Sequence, residues 1–274
     1  MATSDYQGKK FENNAITSVV DALTVEEALQ ININGDPFTV TMRTPGDDIA
    51  LVRGLLNSEG IINDLSFSPN VILKSENKNG VVTIVELIIP EEKLGSGYSN
   101  SRSLLSVSSC GICGKKELEE LSFMGKVLEE KQSLDISMIN EMFDKMQYVQ
   151  SAFKRSGGSH AAAAFDNRGN LLSSMEDIGR HNAVDKVVGD LIVSKTLKKT
   201  AGITVSGRVS YEIIIKAFKA RIPVLCAVSA PSTLAVDFAK ELGITLLAFC
   251  REGRATCYSH PFRIKEINQN SIAG

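Results

Sequence analysis

The sequence predicts an α/β protein: a large domain with a mostly parallel sheet, preceded by a small α+β domain. Three observations predict it. From His160 to Phe249, apolar strand-like runs alternate with helical patterns. Their spacing of ~20 residues calls for crossover connections and hence parallel strands. Residues 25–89 instead join short strand patterns through turn signals around a single helix. Between Gly95 and Ser109, seven serines and two glycines in fifteen residues mark a loop between these two textures. The division therefore falls at residues 1–105 and 106–274.

In the small domain, Val25–Ile33 and Phe38–Arg43 flank an Asn-Gly-Asp-Pro turn, a hairpin signal. Asp47–Ser58 shows helical spacing, with Ile49, Val52, Leu55 and Leu56 on one side and Gly60 as a stop. Strands Asn70–Lys74 and Val81–Ile89 follow, joined through Asn-Lys-Asn-Gly. In the large domain, Asp135 caps a helix predicted to run to about Lys154. Its apolar face is Ile139, Met142, Phe143, Met146, Val149 and Phe153, read as core packing. His160–Phe165 and Leu171–Ser174 are strands around an Asp-Asn-Arg-Gly turn, and a helix starts near Arg180. Strand Gly202–Val205 leads to helix Ser210–Ala220, and strand Val224–Ser229 leads to helix Ser232–Leu242, capped by Ser232. Strand Ile244–Phe249 closes the series.

Apolar residues make up 43% of the 274, charged residues 23%, and the formal net charge is −2. That balance argues against a nucleic-acid partner. No run approaches the ~18 apolar residues of a membrane span. The N-terminal MATSDYQGKK lacks the apolar stretch of a secretory signal. Five cysteines without framework spacing predict a reducing, cytoplasmic setting.

The chemistry-bearing residues fall into two groups. Cys110 and Cys113 form a C-x-x-C at the end of the Ser-rich loop. By spacing alone the pair could hold metal, cycle as a disulfide or carry sulfur. Zinc would need two more ligands, with Cys257 and His260 the candidates. A rigid redox pair would sit between a strand and a helix start, where this one does not. Sulfur carriage needs an exposed nucleophile on a segment able to reach two partners, and a loop suits it. The second group lies at the ends of strands, where open α/β sheets bind ligands. Ser206-Gly207-Arg208 and Ala230-Pro231-Ser232 lead into helix N-termini that favour anions. Cys250-Arg251-Glu252-Gly253-Arg254 supplies two guanidiniums suited to phosphate. His181 starts a helix with Asp185 one turn on, placed to orient it. His160 and Cys226 read as core residues.

Taken in order, SSCGICGK, GGSHAAAAF, EDIGRHNAVDK, SGRVSYE, SAPSTLAV and FCREGRATCYSHPFRI resemble the FdhD/NarQ family of formate dehydrogenase accessory sulfurtransferases. TPGDD and LVRGLLNSEGII agree more loosely. The resemblance implies a large domain similar to cytidine deaminases, with three layers, and a homodimer in the cytoplasm. It implies sulfur taken from a cysteine desulfurase and delivered to the molybdenum bis-molybdopterin guanine dinucleotide cofactor of formate dehydrogenase. Cys110 would carry the persulfide with Cys113 as its partner. Phe249, Cys250, Arg251, Glu252, Gly253 and Arg254 would bind the cofactor, joined by Arg208, Ser232 and His181, and guanine nucleotides would act as its mimics. No structural metal is expected.

Zinc-dependent deamination, which the fold resemblance raises, lacks its residues. His181-Asn182-Ala183 has no glutamate at the third position, and Ser206-Gly207-Arg208 has no cysteines. Two other readings stay open on the residues: an escort that binds cofactor and enzyme without handling sulfur, and a zinc-stabilised binding module.

Overall fold

The computed structural model describes residues 2–101, 127–129 and 133–265. It opens with a hairpin that the sequence reading passed over, β1 (Thr3–Glu12) and β2 (Ala15–Thr24). Asn13 and Asn14 turn it, both at positive φ, as a two-residue hairpin turn requires. Nearly every side chain on both strands is exposed. The alternation that normally betrays a strand is therefore missing, because neither face is buried.

The next sheet has the order β4-β3-β6-β5, with β3 (Glu27–Ile33), β4 (Asp36–Arg43), β5 (Asn70–Glu76) and β6 (Val82–Ile88). Helix α1 (Asp48–Ser58) packs its Leu51, Val52 and Leu56 with Leu29, Ile31, Ile33, Val85 and Leu87. A short helix α2 (Ser96–Ser101) follows.

Six strands form the principal sheet, in the order β13-β12-β11-β10-β8-β9. These are β8 (His160–Phe165), β9 (Leu171–Asp177), β10 (Gly202–Val205), β11 (Val224–Ala227), β12 (Thr245–Arg251) and β13 (Arg254–Ser259). The expected mostly parallel sheet is corrected here. Only β10, β11 and β12 run parallel to one another; β8 is antiparallel to both β10 and β9, and β13 is antiparallel to β12. The cause is local: β8–β9 and β12–β13 are hairpins, which return the chain at once, while the crossovers fall in the centre. A further two-stranded pairing joins β7 (Leu134–Asp135) to β14 (Ile264–Lys265).

Residue alternation along these strands feeds two cores. Ala162, Ala164, Ile203, Val205, Leu225, Ala227 and Leu246 face helices α5 (Arg180–Val193), α6 (Tyr211–Lys219) and α7 (Thr233–Leu242). Ala161, Ala163, Phe165, Val224, Cys226 and Leu247 face Ile139, Met142 and Met146 of α3 (Ile136–Val149). The layers are helix, sheet, helix. The helix predicted to reach Lys154 is broken at Gln150 (ψ 77°), and α4 (Ser151–Ser156) restarts it. On either side of the break, Val149 and Phe153 are exposed rather than packed.

The small sheet is joined to the large one by contacts without slack. Helix α1 lies against α5 so closely that a Cβ on Gly54 would collide with the Asp185 carbonyl, and one on Gly189 with the Ala50 carbonyl. At the end of β9, Asp177 receives the Thr44 N–H and the Lys186 ammonium, the latter at 2.9 Å with both side chains buried. Lys186 also donates to the Thr44 carbonyl, and Asn182 donates to the Met42 carbonyl. Much of the EDIGRHNAVDK stretch is therefore spent in holding the two sheets together.

Candidate functional site

Cys110 and Cys113 lie outside the described residues. Of the remaining predicted site residues, Cys250, Arg251, Glu252 and Gly253 line a cavity of about 760 Å³ that opens between the principal sheet and the α3–α4 break, and Phe249, Arg254, Arg208, Ser232 and His181 are outside its lining. That volume is in the range of small-molecule sites. Ser206, Val228, Cys250, Arg251, Glu252 and Gly253 form the strand-end wall. The opposite wall is helical and includes Asn140, Phe143, Asp144 and Gln147.

The hairpin of β12 and β13 fixes the strand-end wall. Arg251 and Arg254 are cross-strand partners, with Glu252 (φ 52°) and Gly253 (φ 74°) as the turn between them. Just before it the register shifts between Ala248 and Arg251, and Phe249 takes φ 55°. Such a bulge re-aims side chains. Phe249 turns outward against Tyr258, and Cys250 turns inward, 2% exposed. The exposed Arg254 guanidinium donates to Glu252 at 2.6 Å, a solvated pair that holds neither group strongly.

His160, read from the sequence as a core residue, is half-buried on the cavity wall. Its pKa is lowered by burial, then by the charges of Arg180 and Arg208, and Asp177 opposes the shift. The imidazole thus stays neutral and reports a positive local field. Gly207 is the point of close approach, since a Cβ there would come within 3.2 Å of His160 Nδ1. Ser206 extends the β8–β10 pairing: its N–H donates to the Ala161 carbonyl and its Oγ accepts from the Ala161 N–H. Glu176 orders the rim, accepting from the Ala152 and Phe153 N–H groups at the start of α4 and from Ser159 Oγ.

Other predicted residues lie apart from the cavity lining. Ser232 Oγ accepts from the Ala235 N–H as the cap of α7. Arg208 is exposed beside His160. His181 is buried, with Nε2 3.1 Å from Ser210 Oγ and 3.9 Å from Glu212. Burial first, then Lys216, Arg180 and His160, push its pKa down to about 3. Asp185 does not orient it, a correction to the expected pairing. Its carboxylate instead binds Lys216 Nζ at 2.7 and 2.9 Å, because the buried ammonium on α6 requires a counter-charge. Of the additional zinc ligands considered, His260 Nε2 is 2.8 Å from the Lys240 carbonyl, and Cys257 Sγ donates to the Ser259 carbonyl. Among the described residues no group of three or more His, Cys, Asp or Glu could hold a metal ion.

The helical wall was not foreseen. Asn140, Asp144 and Gln147 follow helical spacing beside the apolar face of α3, a polar stripe that looks like solvated surface until the break at Gln150 shows it faces a cavity.

Comparison with known proteins adds to this geometry. The FdhD/NarQ family profile matches residues 24–265. The sulfur carrier protein FdhD of Streptomyces avermitilis is 38% identical over 268 residues, covering 93% of each chain. That of Picrophilus torridus is 41% identical over 254 residues, covering 90% of this chain and 93% of the relative. A crystal structure from Desulfotalea psychrophila, described as a formate dehydrogenase accessory protein, superposes with a TM-score of 0.77 over 97% of this chain and 100% of that one. At 19% identity it shows a common fold. The ordered motifs and the match over almost the whole chain lead to one assignment: this chain belongs to the FdhD/NarQ family.

Proposed function

We propose that this protein carries sulfane sulfur on Cys110, received from a cysteine desulfurase, to a molybdenum cofactor bearing guanine dinucleotides that serves formate dehydrogenase. The Cys110 thiolate attacks the outer sulfur of the donor persulfide, so one S–S bond breaks as another forms and the donor thiolate leaves. Cys113 then attacks the inner sulfur of the Cys110 persulfide. Hydrosulfide is released toward the cofactor, and a Cys110–Cys113 disulfide remains, which a cellular thiol reductant resets.

The observation that carries the reading of the substrate is the cavity beside the Arg251–Arg254 hairpin. It combines exposed guanidiniums, the field of Arg180 and Arg208 at His160, and a volume able to take a nucleotide-sized arm of a larger cofactor. Anionic phosphates are favoured there, and the neutral His160 can exchange hydrogen bonds without adding charge. The helix–sheet–helix layering supports the kinship with the cytidine deaminase fold, and a homodimer belongs to the same proposal.

Two measurements test it. After incubation with a desulfurase and cysteine, mass spectrometry of the wild-type chain should show one added sulfur that Cys110→Ala abolishes. An unchanged load on that variant would end the assignment. GDP binding by calorimetry should weaken at least tenfold in Arg254→Ala or Arg251→Ala, and equal affinities would remove the cavity as the cofactor site.

A further inference from the structure

The helical wall of the cavity carries polar groups left without partners among the described residues. Gln150 sits at the α3–α4 break, lines the cavity and is 5% exposed. Its carboxamide does not cap α4 and has no other hydrogen-bond partner among those residues, an arrangement that burial penalises unless a ligand completes it. Two carboxylates line the same space. Glu252, on the strand-end wall, is engaged by Arg254 at 2.6 Å. Asp144, on α3, has no ion-pair or hydrogen-bond partner among the described residues. Phe153 also lines the cavity, and 43% of it is open to solvent.

We propose that this wall reads the base of a nucleotide, with Asp144 the residue that selects guanine over adenine. The inference rests on the reading of the cavity as the cofactor site, and it assigns the base end that the guanidiniums leave open. An ionised carboxylate only accepts hydrogen bonds. Guanine offers it two adjacent donors, N1–H and the N2 amine, one for each carboxylate oxygen. The matching edge of adenine presents the N1 lone pair and a C–H at position 2, so a carboxylate there is repelled and left unpaired. The Gln150 carboxamide, free to donate, suits the neighbouring O6 of guanine.

Three features favour base recognition over a solvated helix face. The two walls differ in character: the strand-end wall carries Arg251 for phosphates, and the helical wall carries neutral amides and one unpaired carboxylate. A nucleotide therefore has one orientation in which each end meets its complement. The walls come together at one end, where a Cβ on Gly253 would lie 4.0 Å from Asn140 Nδ2, so the cavity is bounded there. The partly open ring of Phe153 gives a base a face to stack on. A merely solvated stripe would not bury a carboxamide without a partner, as Gln150 does.

The test is calorimetry of the full-length chain with GDP, ADP and XDP. The wild type should bind GDP at least about tenfold tighter than ADP. Asp144→Asn should weaken GDP by about tenfold or more and tighten XDP. The new amide accepts from N1–H and donates to the O2 carbonyl that xanthine has in place of the N2 amine. That exchange of preference is a readout that a structural role of Asp144 would not move. Phe153→Ala should weaken all three nucleotides alike, by about tenfold, since stacking is blind to base identity. Equal GDP and ADP affinities in the wild type, or an unchanged GDP-to-XDP ratio in Asp144→Asn, would overturn the proposal while leaving the cavity as a phosphate site. Binding of none of the three would instead sink the cofactor reading, and this inference with it.

Discussion

The imidazole of His181 is kept neutral by its surroundings: buried on α5, it faces Lys216 from α6, Arg180 on its own helix and His160 from β8, with Glu212 at 3.9 Å as the nearest carboxylate. Because its folded pKa of about 3 lies below the unfolded value, the unfolded chain binds the extra proton first as pH falls. This contribution to stability is complete above the unfolded pKa of ~6.5 and is lost progressively toward pH 3, at up to ~1.4 kcal/mol per pH unit. Urea titrations at successive pH values should show that decline in the wild type and a shallower one in His181→Gln. The Lys186–Asp177 pair makes a larger demand. Lys186→Met leaves Asp177 charged and buried, and should cost ~3–5 kcal/mol in urea unfolding. Adding Asp177→Leu should recover part of that loss. Such partners are invisible in sequence: His181 and Asp185 stand one turn apart on a helix, yet Asp185 turns to a lysine thirty-one residues on.

Helix α1 and helix α5 touch through glycines, and their geometry sets a prediction at the level of the element. Gly189→Ala has no soft neighbour to displace, since the new methyl meets the Ala50 backbone, so the helices must separate at a cost of about 3 kcal/mol or more. The hairpin turn at Glu252 predicts the opposite sign. Glu252→Asn, better suited to positive φ, should raise stability by up to ~1 kcal/mol in thermal unfolding. Elements marked by apolar runs between turn residues were legible in the sequence: β8, β10 and the start of α5 fall where those signals place them. The β1–β2 hairpin was not, because two solvated faces leave no period to read. The α3–α4 break was hidden for another reason. Nothing at Gln150 forbids a helix locally, and the interruption follows from Glu176, on a strand about twenty-five residues later, capping the new helix start. The cavity's polar helical wall went unseen with it, while residues 250–253 of its strand-end wall lie in a stretch that drew notice because charge and glycine concentrate there.

At the scale of the molecule, the hairpin β1–β2 stands outside both sheets. Thr24–Ser156 and Asp5–Arg155 are its side-chain ties to α4, and the family match begins at residue 24, where it ends. A paired two-stranded ribbon adds little to the stability of the sheets beyond it. Deleting residues 2–23 should therefore leave a single cooperative urea transition of the remaining chain, with its midpoint lowered by no more than that of Lys186→Met. A split or lost transition would show instead that the ribbon is part of the folding unit.

Two consecutive residues of β9 point in opposite directions and take hold of different things. Glu176 grips the start of α4 and Ser159 at the cavity rim, and Asp177 grips Thr44 and Lys186 at the seam with the small sheet. They form a crossbeam one peptide bond long. The rim and the seam with the small sheet are thus anchored at neighbouring positions of one strand.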